Sequence, residues 1–149
     1  MEIEEFRAKI KPNDTLAVEG KEYIVKEVIR YKIDDGSIYF KCHLGGDYVI
    51  ADDSDENIFI FVQPVTVPLK QPFPKNLILN NKKFEFLYTA HAVAEEVQGE
   101  EIFPKGYSEK YWDYKSDDGS YLSLGVSDSN NKRLDFCGKI VQPQDVDIK

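Results

Sequence analysis

From Thr15 to the C-terminus the chain is written in short runs of alternating apolar and polar residues, each closed by Gly, Asp or Asn. Such punctuation is the pattern of an all-β protein, a sandwich or a barrel. A parallel sheet would need crossovers of about a dozen residues, usually helical, and no strand–helix–strand alternation is present. The spacing therefore predicts about ten short, mostly antiparallel strands. A short N-terminal helix over residues 2–10 precedes them, with Ile3, Phe6 and Ile10 on one face and Pro12 as its stop.

In the first half, Thr15–Glu19 is one strand, and Lys21–Ile33 is a longer one with Tyr23, Val25, Ile29, Tyr31 and Ile33 on one face. Glu27 breaks that alternation and marks a bulge or an edge. Asp34-Asp35-Gly36 forms a hairpin turn, because Asp and Gly tolerate positive φ. On the return strand, Ser37–Leu44, the pattern sends Ile38, Phe40, Cys42 and Leu44 to the core and Tyr39, Lys41 and His43 outward. Tyr48–Ala51, a solvated acidic loop over Asp52–Glu56, and Ile58–Val62 follow. Pro64, Pro68, Pro72 and Pro74 then make residues 63–75 an extended crossing, since proline cannot donate to a ladder.

The second half repeats this grammar. Leu77–Leu79 turns at Asn80-Asn81 into a strand from Lys82, and Ala90–Val97 has helix-forming composition but continues the alternation. After a loop over Gly99–Gly106 come Glu109–Lys115, the Asp117–Ser120 hairpin, Tyr121–Val126, Arg133–Cys137 and a last strand interrupted by Pro143. Leu16–Tyr23 aligns with Leu77–Phe84, and Tyr39-Phe40-Lys41-Cys42 with Tyr111-Trp112-Asp113-Tyr114. Tyr48–Ile50 aligns with Tyr121–Ser123, and Phe59–Val65 with Asp135–Val141. The expected organisation is one domain, 1–149, made of two five-stranded pseudo-repeats at about 13–65 and 76–149. Each would be a bent sheet or a small barrel.

The stretch Tyr111–Leu124, with Gly20–Val25 and Gly138–Val146, resembles a prokaryotic domain-of-unknown-function family of duplicated β units. In that family a Trp-x-Glu-Tyr element in the first half is echoed by an aromatic-Asp-Tyr element in the second. Here Tyr39-Phe40-Lys41-Cys42 stands where the first element would lie. The resemblance covers Asn13 to Ile148 and brings no enzymatic activity. Its members' gene neighbours, membrane-stress and polyamine-related proteins, imply an accessory role that falls on no particular residue.

The chemistry-bearing residues exclude several classes. Twenty-seven acidic against 19 basic residues give a net charge of −8, which opposes nucleic-acid binding. No run approaches the roughly 20 apolar residues of a membrane span, and the acidic N-terminus is unlike a signal peptide. Cytoplasmic residence with reduced Cys42 and Cys137 is the expectation. Asp53, Asp55 and Asn57 imitate the start of a calcium loop, but Ile58 and Pro64 stand where its Gly and bidentate Glu belong. Cys42 and His43 point to opposite faces of a strand, and zinc spacing is absent. No nucleophile elbow or phosphate loop occurs. No metal and no cofactor is implied.

What remains is an aromatic cluster: Tyr107, Tyr111, Trp112, Tyr114 and Tyr121, with Asp113 between two of its rings. These side chains either fill the core and strand pairs or form a contact surface. The expected function is a non-catalytic cytosolic module that binds a protein partner through Tyr111, Trp112, Asp113, Tyr114 and Tyr121. A rival is a barrel holding a small apolar or sugar-like ligand, which requires an internal cavity of several hundred Å³ lined by aromatics. A third is an enzyme using Asp113, whose pKa an aromatic setting would raise, with neighbouring tyrosines.

Overall fold

A computed structural model describes all residues, 1–149. Helix α1 (Ile3–Lys9) has Glu4 and Glu5 in its first turn and Arg7 and Lys9 in its last, the order the helix dipole favours. Asn13, in the left-handed region at φ 75°, turns the chain out of it. The remainder is strand: β1 (Thr15–Val18), β2 (Lys21–Ile33), β3 (Ile38–Leu44), β4 (Val49–Asp53), β5 (Ile58–Pro64), β6 (Asn76–Leu79), β7 (Lys82–Gly99), β8 (Ser108–Ser116), β9 (Ser120–Ser127), β10 (Phe136–Val141) and β11 (Val146–Ile148). No helix is long and apolar enough to cross a membrane.

Every pairing is antiparallel. The order β2-β3-β4-β5-β10-β9-β8-β7 returns to β2, because β2 and β7 also pair. The result is a closed eight-stranded barrel. Each half of the chain supplies four of its strands, and neither half closes alone. Closure leaves the eight strands without a free edge. Two seams join the halves: β2 to β7, from Glu27↔Gly99 to Ile33↔Ala92, and β5 to β10, from Phe59↔Val141 to Pro64↔Phe136. Each seam passes a glycine where backbones meet closely. A Cβ on Gly99 would strike the Lys26 carbonyl oxygen, and one on Gly138 the Phe61 carbonyl oxygen. Outside the barrel, β1 and β11 continue from the first residues of β2, and β6 from those of β7.

Both long strands carry a bulge, at Lys26 opposite β3 and at Leu87 opposite β8. A bulge inserts one unpaired residue and exchanges the faces beyond it. Tyr23 and Val25 accordingly pack outside the barrel, while Ile29, Tyr31 and Ile33 pack inside it. The five residues do not share the one face their spacing suggests, and Glu27 turns inward, fully buried.

The larger part of the apolar mass lies on the outside of the barrel wall; inside, Ile29 packs with Ala92, and Val49, Ile60 and Val62 with Phe136. On the first half, Val25, Val28, Cys42, Leu44, Ile50, Phe59 and Phe61 are covered by Ile3 and Phe6 of α1 and by Ile10 just after it, with Leu16, Val18 and Val146. Phe6 meets Phe59 edge to face at 5.0 Å between centroids. Asp52 does not belong to a solvated loop. It is buried on β4 beneath α1 and forms a double hydrogen bond with Arg7, Nε–Oδ2 2.8 Å and Nη2–Oδ1 2.6 Å. On the second half, Phe84, Tyr114, Leu122 and Leu124 lie under the Pro-rich crossing, which contributes Val67, Leu69 and Phe73. That crossing is a strap, without regular structure from Val65 to Lys75.

The other face of β3 points into the barrel. Lys41 and His43 are buried there rather than directed to solvent, since a closed barrel with a covered outside hides both faces of its strands.

Candidate functional site

Because each barrel strand alternates inside and outside, β8 sends Glu109, Tyr111 and Asp113 inward and Lys110, Trp112 and Tyr114 outward. The inward residues help line a cavity of about 1150 Å³. It opens at the barrel end that carries the β2–β3 turn, with Asp34 and Asp35, and the β4–β5 turn, with Asp55 and Glu56. At the opposite end the β7–β8 loop folds back. Phe103 stacks on Tyr107 at 4.5 Å and meets the His43 ring edge to face at 5.1 Å.

Asp113 is the most elaborated polar group inside. Its Oδ2 accepts hydrogen bonds from Tyr121 Oη at 2.5 Å and Tyr88 Oη at 3.2 Å, and its Oδ1 accepts one from Ser123 Oγ at 2.6 Å. β7 places Tyr88 and β9 places Ser123 directly across the ladders from Asp113. Asp113 is 4% exposed. Burial pushes its pKa up to about 6, although the three hydrogen bonds and the charge of Lys41 pull it down. Burial, with the charge of Asp113, holds the Tyr88 and Tyr121 hydroxyls far above the usual phenol range, so they donate.

Lys41, across the barrel, lies 4.7 Å from the centroid of Phe136 and 5.8 Å from those of Tyr31 and Phe103. Its Nζ is 3.8 Å from Glu109 Oε1, and Glu109 Oε2 accepts from Tyr107 Oη at 3.2 Å. Tyr31 stacks on Tyr39 at 5.0 Å, and Tyr39 and Tyr88 both meet Tyr111 edge to face near 6 Å, at 6.2 and 6.1 Å. The Tyr31 hydroxyl is buried without a partner. Nearer the closed end, burial and the charges of Lys41 and Lys26 push His43 down to about 3, so the ring is neutral, and its Nδ1 shares a hydrogen bond with Glu27 Oε1 at 2.8 Å.

The five residues singled out in the sequence do not form one surface. Tyr111, Asp113 and Tyr121 converge inside the barrel. Trp112 lies outside, edge to face with Phe73 of the strap at 4.9 Å and beneath Lys110 at 5.1 Å. Tyr114 is fully buried under the strap and donates to the Pro74 carbonyl at 2.8 Å. Sequence reasoning missed Tyr39, Lys41, Tyr88, Glu109 and Ser123. One signal for them was present: Lys41 aligns with Asp113 between the halves, and in the barrel Lys41 stands opposite Ala51 as Asp113 stands opposite Ser123. Cys42 points away from the cavity into the outer core, where burial raises its thiol far above the usual range and leaves it inert.

A family model described as a domain of unknown function, DUF4178, matches residues 11–134. No curated protein and no solved structure matches the chain.

Proposed function

We propose that this chain, which belongs to the DUF4178 family, is a non-catalytic barrel that binds a small molecule in its interior. The observation that carries this reading is the cavity of about 1150 Å³ running into the barrel between tyrosines and a buried carboxylate. Ligand sites in small barrels lie in their mouths, and a volume of this order suits one compact ligand. The arrangement favours holding over reacting. Both oxygens of Asp113 already accept hydrogen bonds from the protein, and no activated nucleophile stands beside it. A protein-binding surface on the β8–β9 hairpin is disfavoured, because its rings are divided between the barrel interior and the strap.

The same reading takes the two halves as copies of one ancestral unit. Its support is the shared order of a short strand, a long bulged strand and three more, with bulges at Lys26 and Leu87 and matched inward residues at Lys41 and Asp113. Four strands from each copy make the wall, so the cavity belongs to the pair rather than to either half.

The test is titration with a neutral environment-sensitive dye, N-phenyl-1-naphthylamine. The protein should bind it with a blue-shifted emission. Ala51→Trp, which fills the cavity from β4, should abolish binding, while Trp112→Phe on the outer face should leave it intact. Equal binding by the Ala51 variant, confirmed folded by circular dichroism, refutes an interior site.

A further inference from the structure

The wall of the cavity also carries information about the charge of its occupant, and this step rests on the binding reading above. We propose that the barrel takes a small organic cation, an alkylammonium, with its charge against Asp113 and its hydrocarbon part on the faces of Tyr39, Tyr88 and Tyr111.

Three observations converge on it. First, carboxylates outnumber lysines eight to three along the cavity wall. Asp52 is answered by Arg7 from outside, Asp34 by His91 at 3.0 Å and Glu109 by Lys41, which leaves Asp35, Asp53, Asp55, Glu56 and Asp113 as the negative excess. The excess begins at the mouth, where Asp35, Asp55 and Glu56 would raise the local concentration of a cation and lower that of an anion. Second, Asp113 receives only neutral hydroxyl donors and has no ion-pair partner. A buried carboxylate attracts a counter-charge more strongly than an exposed one, because the surroundings screen it less. A neutral ligand would leave that charge unanswered. Third, the barrel already solvates one alkylammonium by this chemistry. The Lys41 ammonium lies against the rings of Phe136, Tyr31 and Phe103 with Glu109 beside it. The tyrosines around Asp113 offer a second ammonium the same combination of ring quadrupole and carboxylate.

An anionic ligand fits poorly. Lys41 is the only lysine deep in the barrel and is already engaged, while Lys110 turns outward over Trp112 and Lys115 is exposed at the end of β8.

The experiment is competition against the bound naphthylamine dye, using the full chain and four probes of similar size: n-butylammonium, tetramethylammonium, n-butanol and butyrate. The ammonium ions should displace the dye at concentrations about tenfold or more below butanol, and butyrate should be weakest. Asp113→Asn should shrink the preference for butylammonium over butanol by about tenfold. This ratio is insensitive to a general loosening of the barrel. Glu109→Gln provides a second variant with the same expected direction, should the first fail to fold. Trp112→Phe should leave the preference unchanged. Dye that binds in the interior but is displaced as well by butanol or butyrate overturns the cation class and leaves the binding barrel standing. Absence of interior dye binding together with absence of any ammonium binding overturns both.

Discussion

Replacing Asp113 by Asn isolates the cost of a single buried charge. In the folded protein the Asp113 carboxyl ionises near 6, against an ordinary value of 3.8. A carboxyl with a raised folded pKa is favoured in its protonated form by folding. The folded state therefore binds more protons than the unfolded state between these values, and stability falls as pH rises through that window. The displacement corresponds to about 3 kcal/mol, present below pH 4 and lost by pH 7. Asn cannot ionise, so its packing and hydrogen-bond costs stay constant with pH. Urea unfolding of both proteins at intervals from pH 4 to 7.5, followed by far-ultraviolet circular dichroism, gives the difference in stability at each pH. That difference should move in favour of the Asn variant by about 3 kcal/mol as pH rises. Every other titrating group cancels in the comparison. Parallel stability curves would show that Asp113 is solvated in the folded state and would refute the buried-charge argument. A difference that moves the opposite way would mean that its hydrogen bonds from Tyr88, Tyr121 and Ser123 outweigh burial.

Two further substitutions probe the frame around the cavity. Arg7→Ala leaves Asp52 buried without its cation and should cost about 3–5 kcal/mol in urea unfolding, as breaking a buried ion pair does. Gly138→Ala forces a Cβ toward the backbone of β5 at the seam between halves and should lower stability by about 1–3 kcal/mol or prevent folding. A silent substitution there would contradict the β5–β10 register.

Much of the strand layout was legible because it is local. Asp34-Asp35-Gly36, Asn80-Asn81 and Asp117-Asp118-Gly119 each mark a turn by their own chemistry, and the strands between them follow. Ala90–Val97 was legible as strand despite its composition, because its alternation continued that of Phe84 and Phe86. Closure was not legible. It depends on β2 meeting β7 and β5 meeting β10, segments separated by most of a repeat, and no local pattern announces such pairs. The direction of each face was misread for the same reason. An alternating strand with one apolar face is taken to show the other to water, but here the polar face of β3 lines a barrel. Asp113 stood out in the sequence because it lies between two aromatic residues. Glu109 and Tyr88 did not, since an acid and a tyrosine in a strand carry no mark of which neighbours the barrel will bring them.

The placement of the apolar clusters under α1 and under the Pro-rich strap has a consequence for how such a protein can change. In an ordinary domain the best-packed region is the centre, and substitutions there are the most damaging. In this chain much of the oily cement lies in two outer jackets, and the middle is a chamber where hydroxyls, carboxylates and one ammonium stand among smaller apolar groups. The chamber can therefore be refurnished residue by residue while the jackets keep the wall upright. Selection for a new occupant would then act on positions such as Ala51, Ala90 and Ser123 at small cost to the fold.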